Sequence, residues 1–352
     1  MYDAIIIGAR VAGAPTAMLL ARKGYRVLLV DRATFPSDTL SSNMIQIPGV
    51  VALKRWGLLD EVLATNPGQA NHIHFEFAGI TLETDYLALE GINTIIGPRR
   101  YLLDPILVKA AVAAGAELRE GFITEELVWE DGRVTGIRGH SKNGETVTEH
   151  ARIIIGADGK HSMVAKAVNA PKYNEAPVLT CAYFGYWEGV PRKGGGGEIY
   201  SRGKRSIGCW PTNNGQTMIY VGAPIAEFNA IRADVEGSYM AALELVPDLA
   251  ARVRQGKQSE RLMGSADLPN FYRRPYGAGW ALVGDAGFVK DPLSGHGIGD
   301  AFLDADRLAE ALDEGFSGRQ PIEGALSEYE RKRNIETKPA YDNIIDIAKM
   351  NP

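Results

Sequence analysis

The first 31 residues of the chain constrain its fold more than any other segment. Residues 2–7 form a short, β-branched apolar run that predicts a strand buried on both faces, and residues 8–13 form a turn with glycine at each end. Residues 14–23 are good helix formers, and residues 26–30 predict a second buried strand, which Asp31 closes. A strand, a turn, a helix and a strand over this length make a βαβ unit with parallel strands. The chain therefore predicts an α/β fold with a parallel sheet.

The turn of this unit, Gly8-Ala9-Arg10-Val11-Ala12-Gly13, predicts a dinucleotide site. Glycines let the backbone approach a pyrophosphate, the helix N-terminus supplies free N–H groups, and Asp31 is placed to bind ribose hydroxyls. Arg10 stands where the fingerprint has its second glycine, so we expect its side chain to swing aside and contact the phosphates or border the entrance of the site. An ordinary βαβ turn is the alternative, and the spacing to Asp31 argues against it.

Two more acid–glycine turns follow predicted buried strands. After the first of these strands comes Asp158-Gly159, although Asp158 or Ser162 could instead simply cap the next helix. After the second comes Gly284-Asp285, followed by a glycine-rich loop and a long helix. Asp285 is expected to accept hydrogen bonds from a polyol, and the loop brings backbone amides towards a negative charge. Asp304 should lie too far along the helix to contact the same ligand.

The rest of the chain shows a different pattern. Residues 72–97, 178–187, 198–201, 205–211 and 216–222 predict antiparallel strands, and two or three helices are expected from residue 225 to about 254. Residues 117–149 predict a meander with turns at Asp131-Gly132 and Asn143-Gly144. We therefore expect two domains, each built from separate segments. A nucleotide-binding domain would take residues 1–71, 98–175 and 266–352, and a mostly antiparallel sheet domain would take residues 72–97 and 176–265.

In this order, the three turns resemble those of FAD-dependent monooxygenases of the para-hydroxybenzoate hydroxylase type, the group A flavoprotein monooxygenases. They also resemble a wider set that includes prenyl reductases and halogenases. The resemblance covers nearly the whole chain and implies a Rossmann-like FAD-binding domain, an inserted substrate domain and C-terminal helices. Arg99 and Arg100 compete for the role of an arginine that reaches FAD from the start of a helix. The implied FAD-binding residues are Gly8, Ala9, Arg10, Val11, Ala12, Gly13, Asp31, Arg32, Arg100, Asp158, Gly284, Asp285, Pro292, Gly295, Gly297 and Ile298.

The resemblance also implies an activity. NAD(P)H would reduce FAD, and O₂ would then form a flavin C4a-hydroperoxide that hydroxylates a small aromatic or polycyclic metabolite. A flavin-dependent reductase of the prenyl reductase type and a flavin-binding protein without turnover are the alternatives. A halogenase is disfavoured, because the segments nearest to that group's Trp-x-Trp-x-x-Pro motif, at residues 187–191 and 209–211, do not match it.

Few residues qualify as catalytic acids or bases. Asp291, just before Pro292, and His296, inside the flavin loop, are the candidates, although the backbone of His296 could matter more than its ring. Lys290 is expected to be solvated.

The substrate-pocket candidates are His74, Phe184 and Trp210, which lie on predicted strands of the second domain. Aromatic residues in strands nevertheless belong to the core more often than to a ligand site. The aromatic residues on these predicted strands that could line a pocket are Phe75, Phe77, Tyr183, Phe184, Tyr186, Trp210 and Tyr220. His72 and His74 share one face of a strand without cysteine or acid partners in the sequence pattern, so no metal site is expected.

Composition narrows the partners and the compartment. The chain has 38 basic and 43 acidic residues and no block of like charges, which disfavours nucleic acid or a membrane as a partner. Its two cysteines, Cys181 and Cys209, form no C-x-x-C pair, and the N-terminus has no basic leader. We expect a cytoplasmic monomer or homodimer whose partners are O₂ and a small-molecule substrate.

Overall fold

Strands and helices alternate along the chain, which a computed structural model describes over residues 1–77, 79–141 and 144–350. The strands are β1 (Tyr2–Ile7), β2 (Val27–Asp31), β3 (Gly68–Ala70), β4 (His72–Phe77), β5 (Ile80–Asp85), β6 (Ile95–Gly97), β7 (Glu117–Glu120), β8 (Ile123–Glu130), β9 (Arg133–His140), β10 (Thr146–Gly156), β11 (Lys172–Ala176), β12 (Thr180–Glu188), β13 (Gly197–Arg202), β14 (Arg205–Pro211), β15 (Thr217–Pro224), β16 (Lys257–Gln258), β17 (Met263–Ser265), β18 (Asn270–Arg273), β19 (Tyr276–Gly277), β20 (Trp280–Leu282) and β21 (Phe288–Val289). The helices are α1 (Gly13–Arg22), α2 (Ile47–Trp56), α3 (Leu59–Ala64), α4 (Arg100–Ala113), α5 (Met163–Ala167), α6 (Phe228–Ala233), α7 (Val235–Leu243), α8 (Pro247–Gln255), α9 (Gly297–Phe316) and α10 (Ile322–Ala348).

The strands predicted from the start, middle and end of the chain lie side by side in one sheet. Its order is β19-β20-β10-β1-β2-β7, and β1 is parallel to both β2 and β10. Ile5 pairs with Ile154 on one side and Leu28 on the other, and all three are fully buried. Helices α1, α4 and α9 cover one face of the sheet. This is the predicted Rossmann-like architecture, and it is confirmed.

The second large sheet is mostly antiparallel. Its order is β16-β12-β15-β14-β13-β4-β5, and β13 and β4 form a parallel pair within it. One face packs under α7 and α8, and the other faces α2 and the first sheet's domain. Because its strands come from residues 72–85 and 180–265, we propose the domain boundaries as they were predicted from the sequence.

Three local features differ from the sequence predictions. Helices α2 and α3 were not predicted, and β7 pairs in parallel with β2 instead of joining a meander. The meander is limited to β8, β9 and β10, and its turn at Asp131-Gly132 has both residues at positive φ. Asn143 of the second predicted turn lies outside the described residues. Over the described ranges, no helix is long and apolar enough to cross a membrane.

Candidate functional site

A cleft of about 620 Å³ opens at the carboxyl ends of β1, β2, β10 and β20. In open α/β sheets this is the edge at which ligands bind. The predicted FAD-binding residues that line the cleft are Gly8, Arg10, Val11, Ala12, Asp31, Arg32, Arg100, Asp158, Gly284, Asp285, Pro292, Gly295, Gly297 and Ile298. Ala9 and Gly13 are buried behind this wall.

The glycines at the ends of the first turn are required by packing. Gly8 has a φ of +103°, and a side-chain carbon there would lie 2.4 Å from the carbonyl oxygen of Ala157. A side-chain carbon on Gly13 would lie 1.8 Å from the carbonyl oxygen of Gly8. The turn can therefore bring α1 against β1 and β10 only with glycine at both positions. No described side chain caps the N-terminus of α1, which begins close to Val11 at the wall of the cleft.

Asp31 ties the turn to the end of β2. Its carboxylate accepts hydrogen bonds from the N–H groups of Ala9 and Ala33, each at 2.7 Å. A carboxylate has about four lone-pair positions, so these bonds leave capacity for ribose hydroxyls in the cleft.

Arg10 swings away from the turn, as the sequence predicts. Its guanidinium lies 2.6 Å from Oδ2 of Asp104 and donates to Oγ of Ser37 at 3.0 Å. Arg100 donates two hydrogen bonds to the same Asp104 carboxylate, at 2.8 and 3.0 Å. Asp104 is fully buried, so two guanidinium groups at the cleft wall share one carboxylate and leave one excess positive charge there.

Arg99, the competitor of Arg100, lies elsewhere. Its guanidinium stacks 3.9 Å from the ring centre of Tyr186 and forms ion pairs with Glu260 and Asp38. Asp104 was missed from the sequence, although its position four residues after Arg100 is the spacing of a helical ion pair.

Asp158 both lines the cleft and begins α5. Its Oδ2 accepts a hydrogen bond from the N–H of Met163 at 2.6 Å, and Ser162 caps the same helix by accepting from the N–H of Ala165 at 2.9 Å. Oδ1 of Asp158 is buried and has no partner among the residues that the structure describes. Burial raises the pKa of Asp158. The helix-cap role is thus present, and one carboxylate oxygen remains available.

Asp285 faces the cleft at the end of β20. Although its carboxylate is accessible from the cleft, the surrounding protein removes much of its hydration, and this raises its pKa to about 6 with a further contribution from the charge of Asp300. The turn is held by Asp304, whose Oδ2 accepts from the N–H of Gly284 and the hydroxyl of Tyr329, both at 2.9 Å. Asp304 also lines the cleft, so the expectation that it lies too far along the helix to reach the same ligand was wrong.

The N-terminus of α9 borders the same end of the cleft. No side chain caps it, and a side-chain carbon on Gly297 would have no described atom within 4 Å apart from its own neighbours. Lys290 also lines the cleft, but it is not solvated as expected. Its side chain is only 4% exposed, and Nζ lies 2.6 Å from Oδ2 of Asp300. No local pattern reveals this pair, since it depends on how the loop meets the helix.

The two predicted catalytic residues do not face the cleft. Asp291 is fully buried; its carboxylate accepts from the hydroxyl of Thr180 at 2.5 Å and from the N–H of Leu293 at 3.1 Å. It therefore holds the loop that follows it. The ring of His296 does not line the cleft, whereas Gly295 and Gly297 do. Burial lowers the pKa of His296, so its ring is neutral near pH 7.

The predicted substrate-pocket residues lie on opposite faces of the second sheet. Phe184 and Trp210 lie on the face that meets Met44 and Leu293, next to the end of the cleft. His74 lies on the opposite face, because it pairs with Glu198 and its ring packs beside Tyr200. The prediction for His74 was wrong.

Both ring nitrogens of His74 are bound to carboxylates. Nδ1 lies 2.7 Å from Glu83 and Nε2 lies 2.6 Å from Glu76, so the acid partners that the sequence pattern did not reveal are present. Across residues 1–77, 79–141 and 144–350, no three His, Cys, Asp or Glu side chains are grouped to hold a metal.

Comparisons with known proteins identify the same cofactor. A sequence model of the family described as FAD binding domain matches residues 1–343. The chain is 26% identical to the digeranylgeranylglycerophospholipid reductase of Methanocella arvoryzae, over 88% of this chain and 76% of that protein. It is also 26% identical to the rifampicin monooxygenase of Rhodococcus hoagii, over 99% of this chain and 71% of that protein. The fold matches that of the myxobacterial chondrochloren halogenase CndH with a TM-score of 0.89 and 22% identity, over 100% of this chain and 83% of that one.

Proposed function

Since the chain belongs to the FAD-binding family of group A flavoprotein monooxygenases, we propose that this FAD-dependent enzyme uses NAD(P)H and O₂ to hydroxylate a small aromatic or polycyclic metabolite. The observation that carries the proposal is an aromatic surface that is buried between the second sheet and the loop at the end of the cleft. Phe184, Trp210 and Tyr220 on the second sheet pack against Leu293, and the neighbours of Leu293, Pro292 and Ser294, line the cleft. An apolar surface beside the cofactor site suits a reaction that must exclude water.

The residues of the cleft fit FAD. The uncapped N-termini of α1 and α9 offer N–H groups and positive dipole ends to a pyrophosphate and to a reduced, anionic flavin ring. Arg10 and Arg100 add positive charge, and Asp285 presents a carboxylate that could accept hydrogen bonds from a ribityl chain. FAD bound there would supply two-electron transfer and the capacity to react with O₂.

The protein's own contribution would be positioning and exclusion of solvent. Asp291 holds the loop that separates the cleft from the aromatic surface, since its carboxylate bonds Thr180 of β12 and the N–H of Leu293 at once. Asp304 holds the turn that presents Asp285. Both are positioning residues in this proposal, and no side chain is required to act as a proton donor to the substrate.

The test is substrate-stimulated turnover. Protein reconstituted with FAD would be mixed with NADH or NADPH in air, and cofactor oxidation and O₂ uptake would be followed with and without a panel of aromatic compounds. We expect at least one aromatic compound to stimulate both, with one atom of ¹⁸O₂ recovered in the product. Oxidation that no aromatic compound stimulates, or a product without labelled oxygen, would contradict the proposal.

A reductase of the prenyl reductase type is the second candidate, because the match to the digeranylgeranylglycerophospholipid reductase covers 88% of the chain. The same apolar surface would accept an alkene. Reduction of an isoprenoid alkene by dithionite-reduced protein without oxygen would favour this candidate. A halogenase is disfavoured by the missing Trp-x-Trp-x-x-Pro motif despite the shared fold, and bromide-dependent product formation would reverse that view.

A further inference from the structure

Tyr220 carries a buried hydroxyl group that no other described residue satisfies. The residue is 7% exposed, and its hydroxyl oxygen has no hydrogen-bond partner within the part of the chain that the structure describes. A buried hydroxyl without a partner costs free energy, so it needs an explanation in terms of a ligand or of water. The position of Tyr220, on the face of the second sheet next to the cleft, points to a ligand.

The hydroxyl lies where the sheet meets the cleft loop. A side-chain carbon on Gly222 would lie 3.0 Å from the Tyr220 hydroxyl oxygen and 3.2 Å from Cδ2 of Leu293. The tyrosine therefore extends along β15 over a residue without a side chain and reaches the loop next to Leu293. Met44, which packs in the same cluster, contacts the position of Gly295 in that loop. Met44 and Leu293 thus lie where the sheet meets this loop, and both have side chains that can change rotamer.

Among the described residues, none that packs around the hydroxyl carries an unpaired charge. The side chains packed around it are apolar or aromatic: Met44, Ala182, Phe184, Trp210, Met218 and Leu293. Arg99 borders this surface through Tyr186 but is paired with Glu260 and Asp38. Asp291 is near enough for its charge to act on Tyr220, yet its oxygens accept from Thr180 and Leu293. Burial first, and then Asp291, raise the pKa of Tyr220 well above its usual value, so the phenol stays protonated and can donate.

We propose that the Tyr220 hydroxyl is the polar anchor of the substrate site and donates a hydrogen bond to an oxygen of an uncharged aromatic substrate, a ketone, phenol or quinone. A carboxylate substrate is excluded, since a charge buried here would lack a cationic partner. The inference rests on the proposed function, because that function places the substrate at this end of the cleft. The substrate would reach the hydroxyl when the side chains of Met44 and Leu293 move aside.

Tyr183 offers a matched control. Its hydroxyl is also buried without a partner among the described residues, and it occupies the neighbouring position on β12 to Phe184, which pairs with Tyr220. Tyr183 points to the opposite face of the sheet, under α7 and α8. Replacing either tyrosine with phenylalanine removes an unsatisfied hydroxyl, so both variants should fold and keep or slightly raise the melting temperature.

The experiment is calorimetric titration of the FAD-loaded wild type, Tyr220→Phe and Tyr183→Phe with 2-naphthol, naphthalene and 2-naphthoate. The wild type should bind 2-naphthol at least roughly tenfold more tightly than 2-naphthoate. Tyr220→Phe should lose about threefold to tenfold in affinity for 2-naphthol, the range of a neutral hydrogen bond, and nothing for naphthalene. Tyr183→Phe should bind all three as the wild type does.

Three outcomes overturn the inference: equal binding of 2-naphthol by wild type and Tyr220→Phe, binding of 2-naphthoate as tight as that of 2-naphthol, or no binding of any probe up to its solubility. Binding does not require turnover. If the affinities follow the expected pattern but no aromatic compound stimulates O₂ uptake, the proposed monooxygenase reaction fails while the anchor stands.

Discussion

The acidic residues around the cleft differ in whether their carboxylate oxygens already accept hydrogen bonds from other protein groups. Asp291 uses both carboxylate oxygens and Asp304 uses Oδ2 to hold loops, whereas Asp285 accepts no hydrogen bond from any described residue and faces the cleft. An acid in that state is available to a ligand. Asp285 is therefore the residue at which cofactor binding can be tested most directly.

Asp285→Asn is expected to weaken FAD binding. Hydrogen bonds to a charged group contribute roughly 1.5–3 kcal/mol, which corresponds to about a tenfold to hundredfold change in the dissociation constant. Fluorescence quenching of FAD on titration with protein measures it. Asp304 cannot serve as the control, because it holds Gly284; Asp342, paired with Lys338 on the surface of α10, can. Equal affinity in wild type and Asp285→Asn would make Asp285 a turn residue only.

The raised pKa of Asp285 predicts a pH dependence of the apoprotein's stability. Its folded-state pKa is about 6, above the ordinary value of 3.8, so the folded state holds this proton more tightly than the unfolded state does. The group's stabilising effect is full below pH ~4 and is lost as the pH rises through about 6. Relative to wild type, Asp285→Asn should gain stability to urea between pH 4 and pH 7 and then level off. If the difference in unfolding free energy between Asp285→Asn and wild type stays constant from pH 4 to pH 7, the pKa of Asp285 is not raised.

Arg10→Ala should weaken FAD binding by about twofold to tenfold, because it removes one charged contact from the cleft wall. The fold should survive, since Asp104 keeps its two hydrogen bonds from Arg100. Arg138→Ala, which removes a surface pair with Glu126, is the control. If Arg10→Ala and Arg138→Ala bind FAD with the same affinity and the same dependence on salt concentration, Arg10 does not contribute to FAD binding.

Sequence patterns located the cleft residues better than they assigned their roles. Gly8 and Asp285 could be predicted because Gly8 directly follows β1 and Asp285 comes three residues after the end of β20, so their position depends on local order alone. The face of His74 and the burial of Lys290 could not, since both depend on pairings with distant segments. Asp291 was predicted at the correct loop but with the wrong orientation.

Among the elements, α9 best links packing to cofactor binding. At its first residue, Gly297, a side chain would enter open space in the cleft, whereas two residues later Gly299 packs against Gly49 of α2. A carbon on Gly49 would lie 2.7 Å from Cγ2 of Ile45 and 3.0 Å from Cα of Gly299. The start of the helix is thus open on one side and closely packed on the other.

Gly297→Ala and Gly49→Ala should therefore have opposite effects. Gly297→Ala should leave the melting temperature of the apoprotein unchanged or slightly raised, and should weaken FAD binding by about 1–3 kcal/mol, the usual cost of an extra carbon in a filled site. Gly49→Ala should lower the apoprotein's stability by a similar amount. Thermal unfolding and FAD titration of both variants measure this. A loss of stability in Gly297→Ala would show that the space is not free.

The elements that the sequence predicted correctly are those with a local signature. The βαβ unit that contains β1, α1 and β2 combines buried runs with a glycine turn, and the long helices α9 and α10 have sustained helical periodicity. Helix α3 has only six residues, whereas α2 is as long as α1 and its signals, a proline at its start and Gly57 after its end, were overlooked. Strand β7 is a four-residue edge strand, and its sequence does not show in which direction its partner runs. The parallel pairing of β7 with β2 depends on how distant segments assemble into the sheet, which the local sequence does not show.

Over the whole molecule, the cleft draws on segments from one end of the chain to the other. Its lining includes Ile7 near the start, Asp158 in the middle and Thr337 in the last helix. A ligand that contacts all of these segments binds the folded state and not the unfolded chain. Its binding free energy is therefore added to the stability of the fold.

FAD should accordingly raise the melting temperature. At a free concentration one hundred times its dissociation constant, FAD adds about 2.7 kcal/mol, which for a chain of this length corresponds to roughly 4 °C. FMN, which lacks the adenosine part expected beside Asp31, should give a smaller shift at the same concentration. In Asp285→Asn, the same FAD concentration should give about half the wild-type shift or less, because the dissociation constant has risen towards that concentration. Differential scanning calorimetry of the apoprotein with each ligand measures all three. A wild-type melting temperature that FAD leaves unchanged would mean that the cleft does not bind FAD with useful affinity, because a ligand held only by the folded state must stabilise it.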